Sequence, residues 1–276
     1  MPELPEAETM ARELGAVLPG RRIASVPHVR RDMVHGDPRP LSSLLPGRRI
    51  RDVYRRAKRV VLTLTGGVEL VFRLGMSGRL ELVEPTVPIP RHAHLRLRIA
   101  GPDAQELRLI DPRRFGGVWC LTGSRRHKGK RLGPVGVEPL SVTPAVFRRL
   151  LDRHRPIKSL LMDQTILAGL GNIYTDESLH AAGLHPLTPA ATLTRDEADR
   201  LLRAIRSTLR RAIRLAGSTI SDYRRITGKP GSFQKVHRVY GRVGLPCRRC
   251  GTPIERIVVI GRSTFFCPSC QPEPTP

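Results

Sequence analysis

The sequence predicts an α+β protein in three stretches: a leading helix with a β-rich half, then a helical half, then a small metal-held β-hairpin. Three observations carry this. Apolar residues recur at helical spacing at the N-terminus. Beyond Gly20 the pattern becomes period two, and it returns to helical after Gly133-Pro134-Val135-Gly136-Val137-Glu138-Pro139. Four cysteines near the C-terminus stand as C-x2-C-x16-C-x2-C.

In the first stretch, Leu4, Ala7, Met10, Ala11, Leu14 and Leu18 mark one face of a helix, with Glu6 and Glu8 early, where the helix dipole favours acids. Short runs follow, among them Arg59–Leu64, Val68–Phe72 and His94–Ile99. Several alternate apolar with polar, and Thr65-Gly66-Gly67 joins two of them as a hairpin, so this half reads as a β-sandwich or barrel. The Gly/Pro-rich 133–139 stretch reads as a linker. Beyond it, two helices between Ile157 and Ala182 are separated by Leu167-Ala168-Gly169-Leu170-Gly171-Asn172, whose glycines would let backbone amides approach a phosphate. By itself Asn172 is a helix N-cap. The clearest helix opens with the capping box Thr194-Arg195-Asp196-Glu197 and carries Ala198, Leu201, Leu202, Ile205, Leu209, Ala212, Ile213 and Ala216 on one stripe.

The cysteines Cys247, Cys250, Cys267 and Cys270 have the spacing of a structural four-thiolate Zn2+ site rather than of two disulfides or free thiols. Between the pairs, Pro253–Ile260 and Ser263–Phe266 read as strands joined at Gly261-Arg262, which puts Arg262 at the tip. Such a hairpin is too small for its own core and needs the metal. Cys120 reads as a buried small hydrophobe. No internal repeat occurs, and the tail 271–276 is polar.

Composition restricts the partner. The 276 residues carry 48 Lys+Arg against 24 Asp+Glu, a formal net charge of +24. That excess points to a polyanion, and arginine, which supplies most of it, suits phosphate geometry. The length allows two domains and an appendage. An acidic N-terminus without a long apolar run predicts a cytoplasmic protein with neither leader nor membrane anchor.

The N-terminus holds the most distinctive chemistry. If Met1 is trimmed, Pro2 presents a secondary amine whose α-amino pKa, at about 7.7–8.0, leaves a nucleophilic fraction at neutral pH. Attack on an aldehyde-like carbon gives an iminium that stays cationic without a proton. Taken alone, Pro2 also suits the opening of the helix that follows.

Five blocks in order, Pro2–Thr9, Leu74-Gly75-Met76-Ser77-Gly78, Asp111-Pro112-Arg113-Arg114-Phe115-Gly116, Asp163–Tyr174 and the cysteine hairpin, resemble the formamidopyrimidine-DNA glycosylases over nearly the whole chain. The resemblance implies a β-sandwich domain, a helix-two-turns-helix domain and a zinc finger that clamp damaged duplex DNA. It also implies a bifunctional glycosylase and abasic-site lyase acting by β,δ-elimination, monomeric and associated with the bacterial nucleoid. The expected boundaries are 1–133, a linker at 134–141, 142–240 with a lesion-recognition loop at about 217–235, and 241–276. Pro2 would attack C1′, Glu3 would move protons, Lys58 would assist base removal and Glu6 would shape the site. Met76, Arg113 and Phe115 would fill the gap left by the extruded nucleotide, although Met76 and Phe115, read locally, also suit a core. His94, Lys158, Asn172, Tyr240 and Arg262 would contact DNA, chiefly its phosphates.

Ala57, Arg73 and Ala93 depart from the family pattern, the latter two at positions that bear on substrate preference. The Leu4-Pro5 start resembles the oxidised-purine branch, with 8-oxoguanine and formamidopyrimidines as substrates. The other readings are an endonuclease VIII-like preference for oxidised pyrimidines or other lesions, a non-catalytic DNA-binding zinc protein, and a basic RNA-binding protein.

Overall fold

The computed structural model describes residues 2–101, 103–123 and 132–274. The last two tail residues lie outside that range. The chain divides into two compact units, Met1–Pro134 with Leu215–Ser232, and Val135–Arg214 with Phe233–Pro276.

In the first unit, helix α1 (Leu4–Gly15) starts with Pro5 in its first turn and has Glu6 near its N-terminus and Arg12 in its last turn, as the dipole favours. It packs on β3 (Ile50–Arg56) and β4 (Arg59–Leu64). These strands belong to a five-stranded sheet in the order β2 (Val34–Gly36), β9 (Gly117–Leu121), β5 (Val68–Arg73), β4, β3. A second sheet orders β1 (Arg22–Val29), β7 (Ala93–Ala100), β8 (Gln105–Ile110) and β6 (Arg79–Val83). Met10 and Leu14 of α1 join Val60, Leu62, Leu70 and Phe72 of one sheet and Leu95, Leu97, Ile99, Leu107 and Leu109 of the other in one core. The architecture is thus a sandwich and not a barrel: among the described residues no strand is shared between the sheets.

Period two hides one feature. Glu106 and Arg108 are fully buried on β8, on the side away from that core. Glu106 accepts from Arg96 twice at 2.9 Å, from Arg98 at 3.0 Å and from Arg108 at 2.7 Å. Arg108 also donates to the Val87 and Pro88 carbonyls, so the 84–90 loop roofs the cluster. The buried charge is tolerated because every ion has a partner.

The second unit is helical: α3 (Pro144–Leu151), α4 (Ile157–Met162), α5 (Asn172–Ala182) and α6 (Arg195–Arg214), with α2 (Leu41–Leu44) a single turn in the first unit. The capping box forms as read, with Thr194 N–H donating to Glu197 at 2.9 Å and Glu197 N–H donating to Thr194 Oγ1 at 3.2 Å. Helix α6 stops before Ala216, which with Gly217 adopts left-handed φ of 57° and 77° and so leaves the apolar stripe. Gly171, not Asn172, is the N-cap of α5. The 133–139 stretch is not a loose connector from Val135 onward: Gly136 and Val137 N–H groups donate to Gln164 and Ile166 carbonyls, and a Cβ on Gly136 would meet Ile166 O at 2.4 Å.

The hairpin is β10 (Glu255–Val259) paired with β11 (Arg262–Phe266). Its turn is Ile260-Gly261, one residue earlier than the sequence suggests, because Val259 pairs with Arg262 and both turn residues have positive φ, 46° and 70°. Arg262 therefore begins the second strand. The recognition loop expected at about 217–235 within the helical domain is divided: Leu215–Ser232 packs in the first unit, where Tyr223 and Ile226 join the core, and the chain from Phe233 belongs to the second.

Candidate active site

In the first unit, Pro2 and Glu3 are buried at the start of α1, with Glu3 at the N-cap. Glu6, one turn on, folds back so that Oε2 accepts the Glu3 N–H at 2.7 Å. Its Oε1 accepts the Ser218 N–H at 2.7 Å, fastening the 215–232 segment to the helix. A side chain on Gly217 would be strained and would push Glu6 aside. The φ of Gly217 is +77° and a Cβ would lie 2.6 Å from Glu6 Oε1.

Lys58 stands in the two-residue turn Ala57-Lys58 between β3 and β4, half-buried. Arg55 ties this turn to α1: its Nη1 donates to Ala57 O at 3.0 Å and its Nε to Glu8 Oε2 at 2.7 Å. Burial pushes the Glu8 carboxyl up, but hydrogen bonds from Arg55 and Arg12 outweigh it and hold the carboxyl below its ordinary range.

Two loops interlock beside this helix's unit core. Asp111, fully buried, accepts Ser77 Oγ–H at 2.6 Å and the Gly116 N–H at 2.8 Å, while Ser77 Oγ accepts the Arg113 N–H at 3.2 Å. Glycines let the backbones touch: a Cβ on Gly75 would meet Gly116 N at 2.6 Å, and one on Gly116 would meet Arg73 O at 2.3 Å. This frame presents Phe115 at 59 % exposure, which removes it from the core, with the Arg113 guanidinium 4.7 Å over its ring. Met76 is half-buried on the facing loop. His94 is buried, with Nε2 2.9 Å from Asp111 O, so it braces the loop from behind rather than facing outward.

In the second unit the expected phosphate residues converge on the hairpin. Asn172 Nδ2 donates to Ser263 O at 2.8 Å. Lys158 is fully buried, donating to Asp176 Oδ1 at 2.7 Å and to Ser263 O at 3.4 Å. A direct phosphate contact by Lys158 would require its fully buried ammonium to be uncovered. Asp176 Oδ2 accepts the Phe265 N–H at 3.0 Å, and burial pushes its carboxyl up to about 7 against the pull of Lys158. Tyr240 packs edge-on against Phe265 at 5.1 Å, and its N–H, with those of Arg238 and Val239, is accepted by Glu177. Arg262 is exposed.

The Sγ atoms of Cys247, Cys250, Cys267 and Cys270 lie within 4.8 Å of one another, with separations such as 3.4 Å and 4.0 Å. A tetrahedral Zn–S distance of about 2.3 Å requires sulfur edges of about 3.8 Å, so the four fit one structural zinc. The separations are too long for disulfides. Arg249 N–H points at Cys247 Sγ at 3.4 Å, as does His180 Nε2.

Three family profiles match in chain order: the formamidopyrimidine-DNA glycosylase N-terminal domain over residues 1–118, its H2TH domain over 133–224, and the zinc finger found in FPG and IleRS over 244–272. The chain is 46% identical to the formamidopyrimidine-DNA glycosylase of Thermus thermophilus, covering 99% of both chains. The chain belongs to the formamidopyrimidine-DNA glycosylase family. It is 42% identical to the Gluconobacter oxydans glycosylase, over 98% of this chain and 100% of that one. Among solved structures, the Thermus thermophilus MutM (FPG) protein matches with TM-score 0.85 at 44% identity, covering 99% of this chain and 100% of that one. A Lactococcus lactis FPG mutant in complex with Fapy-dG-containing DNA matches with TM-score 0.90 at 34% identity and the same coverage.

Within this family framework, sequence reasoning missed the residues that hold the functional ones in place. Ser77 and Asp111 lie inside the quoted motifs, and their paired placement was the available signal. Asp176, Glu177 and His180 offered only a polar run on a helix, with nothing local to show that the run was buried.

Proposed function

We propose that this chain excises oxidised purines, 8-oxoguanine and formamidopyrimidines, from duplex DNA, and then cleaves the strand at the resulting abasic site by β,δ-elimination. What carries the reading is Pro2 and Glu3, buried side by side at the head of α1 in a chain that covers 99% of a DNA glycosylase relative and whose solved relatives include complexes with Fapy-dG-containing and abasic DNA. Removal of Met1 frees the Pro2 amine. Attack on C1′ breaks the glycosidic bond and expels the base; cleavage of C1′–O4′, with a proton delivered to O4′, then opens the sugar to the iminium, loss of C2′–H expels the 3′ phosphate, and loss of C4′–H from the resulting conjugated iminium expels the 5′ phosphate. Glu3 is the proton carrier beside the sugar, and Lys58 supports base departure. Phe115 and Arg113 are the exposed stacking and hydrogen-bonding pair for the vacated stack, with Met76 opposite. Asn172 and Arg262 supply affinity without sequence reading, in keeping with the net charge of +24.

Zinc, when bound, holds the hairpin folded and takes no part in the chemistry. The active species is a monomer in the bacterial cytoplasm, at the nucleoid; no helix among the described residues is long and apolar enough to cross a membrane. Borohydride trapping on an abasic duplex tests the reading. The parent protein becomes covalently attached to DNA and Pro2→Gly does not; equal trapping of the two would reject Pro2 as nucleophile. Relative cleavage of duplexes with 8-oxoguanine, formamidopyrimidine and thymine glycol tests the lesion preference.

A further inference from the structure

Helix α1 grips the 215–232 segment at two points. The first is Glu6 on Ser218 N–H. The second, seven residues on, is Glu13: its Oε1 accepts from Arg225 Nε and its Oε2 from Ile226 N–H at 3.2 Å. Seven residues are two helical turns, about 10 Å of rise, so both carboxylates lie on one face of α1. The Glu13 side chain is 17% exposed and that of Arg225 is 35% exposed, which makes the pair more than a surface ion pair.

Arg225 is the base of a tight turn closed by Arg225 N–H to Lys229 O and Gly228 N–H to Arg225 O, both 2.9 Å. Ile226 O accepts the Leu82 N–H at 3.1 Å, and the Tyr223 and Ile226 side chains sit in the core. Between the two grips only the crown stands clear: Ser221 and Asp222 are exposed and Ile220 is 56% exposed, while Tyr223 turns back into the core. The result is an arch with both feet clamped to the helix that begins at Pro2 and Glu3.

We propose that Glu13 is a positioning residue for base excision: by holding Arg225 and Ile226 it sets the register of the 218–224 arch over the extruded base. The inference rests on the functional reading above. An abasic site has no base for an arch to cover, so strand cleavage there does not need Glu13. The two steps should therefore separate.

Single-turnover excision of 8-oxoguanine and cleavage of a preformed abasic site in the same duplex are measured for the parent, Glu13→Ala, Arg225→Ala and the double variant, with hydrogen exchange across 215–232. Losing a charge-assisted contact is expected to slow excision roughly tenfold or more, with abasic cleavage within about twofold of the parent. The double variant should be no worse than either single one, and faster exchange should be confined to 215–232. Unchanged exchange there in Glu13→Ala, whatever the activities, overturns the proposal. So does an equal fall of excision and abasic cleavage, which would mark a role in general folding. A parent inert on both duplexes and untrapped by borohydride would overturn the functional reading instead, and the exchange result would still decide whether Glu13 holds the arch.

Discussion

Gly217 and Ala57 occupy left-handed backbone for opposite reasons. At Gly217 the conformation coincides with a carboxylate that an added Cβ would have to displace, so glycine is favoured twice over. Ala57 has φ +55° at the head of the Ala57-Lys58 turn, where an L side chain costs about 1–2 kcal/mol. Glycine would relieve that strain while adding about 0.4–1 kcal/mol of unfolded-chain entropy. Ala57→Gly is thus expected to stabilise the protein by roughly 0.5–1 kcal/mol, read as a rise in the denaturant midpoint at unchanged slope. Its effect on the Lys58 ammonium is smaller, because Arg55 continues to hold the Ala57 carbonyl.

Among the elements, the β10–β11 hairpin depends most on its surroundings. Its core cluster is small, Val239, Cys247, Ile254 and Cys267, with Phe265 and Cys270 packed against it. What fixes it otherwise is the buried carboxylate row of α5, Asp176 on Phe265 N–H and Glu177 on three successive amides. Removing zinc with a chelator is therefore expected to unfold residues beyond about 244 while α5 and α6 keep their helix content. Hydrogen exchange would show this as loss of protection confined to the hairpin, accompanied by weaker DNA binding. Full protection of β10–β11 in metal-free protein would contradict the dependence. Phe115 is the opposite case, an exposed side chain on a frame that is rigid without it.

At the scale of the whole molecule, a chain of net charge +24 places its few acids where they hold structure. Burial pushes the Glu106 carboxyl up, but hydrogen bonds from Arg96, Arg108 and Arg98 prevail and hold it at about 2, below the ordinary 4.5. A carboxyl lowered by folding stabilises fully above its unfolded pKa and loses that contribution as pH falls toward its folded one. Thermal stability of the first unit should then fall between about pH 4.5 and 2. Glu8, lowered by its two arginines, acts in the same direction. The single tryptophan, Trp119 on β9, reports on this unit. Glu106→Gln should lower the melting temperature near neutrality and flatten its acid dependence; an unaltered pH profile would remove Glu106 from this role.

The sequence by itself determined the α1 stripe, the period-two strands, the capping box and the cysteine spacing, because each is a local pattern in which neighbours along the chain specify geometry. The proposed nucleophile and the zinc ligands were legible for the same reason: Pro2 is defined by its place in the chain, and the cysteines by their spacing. Only the tertiary structure decided that Phe115 is exposed and His94 buried, that Lys158 is paired with Asp176, and that the segment after α6 packs on the unit containing α1. Those outcomes depend on partners tens to hundreds of residues away, such as Glu6 with Ser218 and Glu13 with Arg225. A carboxylate reads the same in a sequence whether it faces water or a buried amide, and the difference arises only when the fold removes the water.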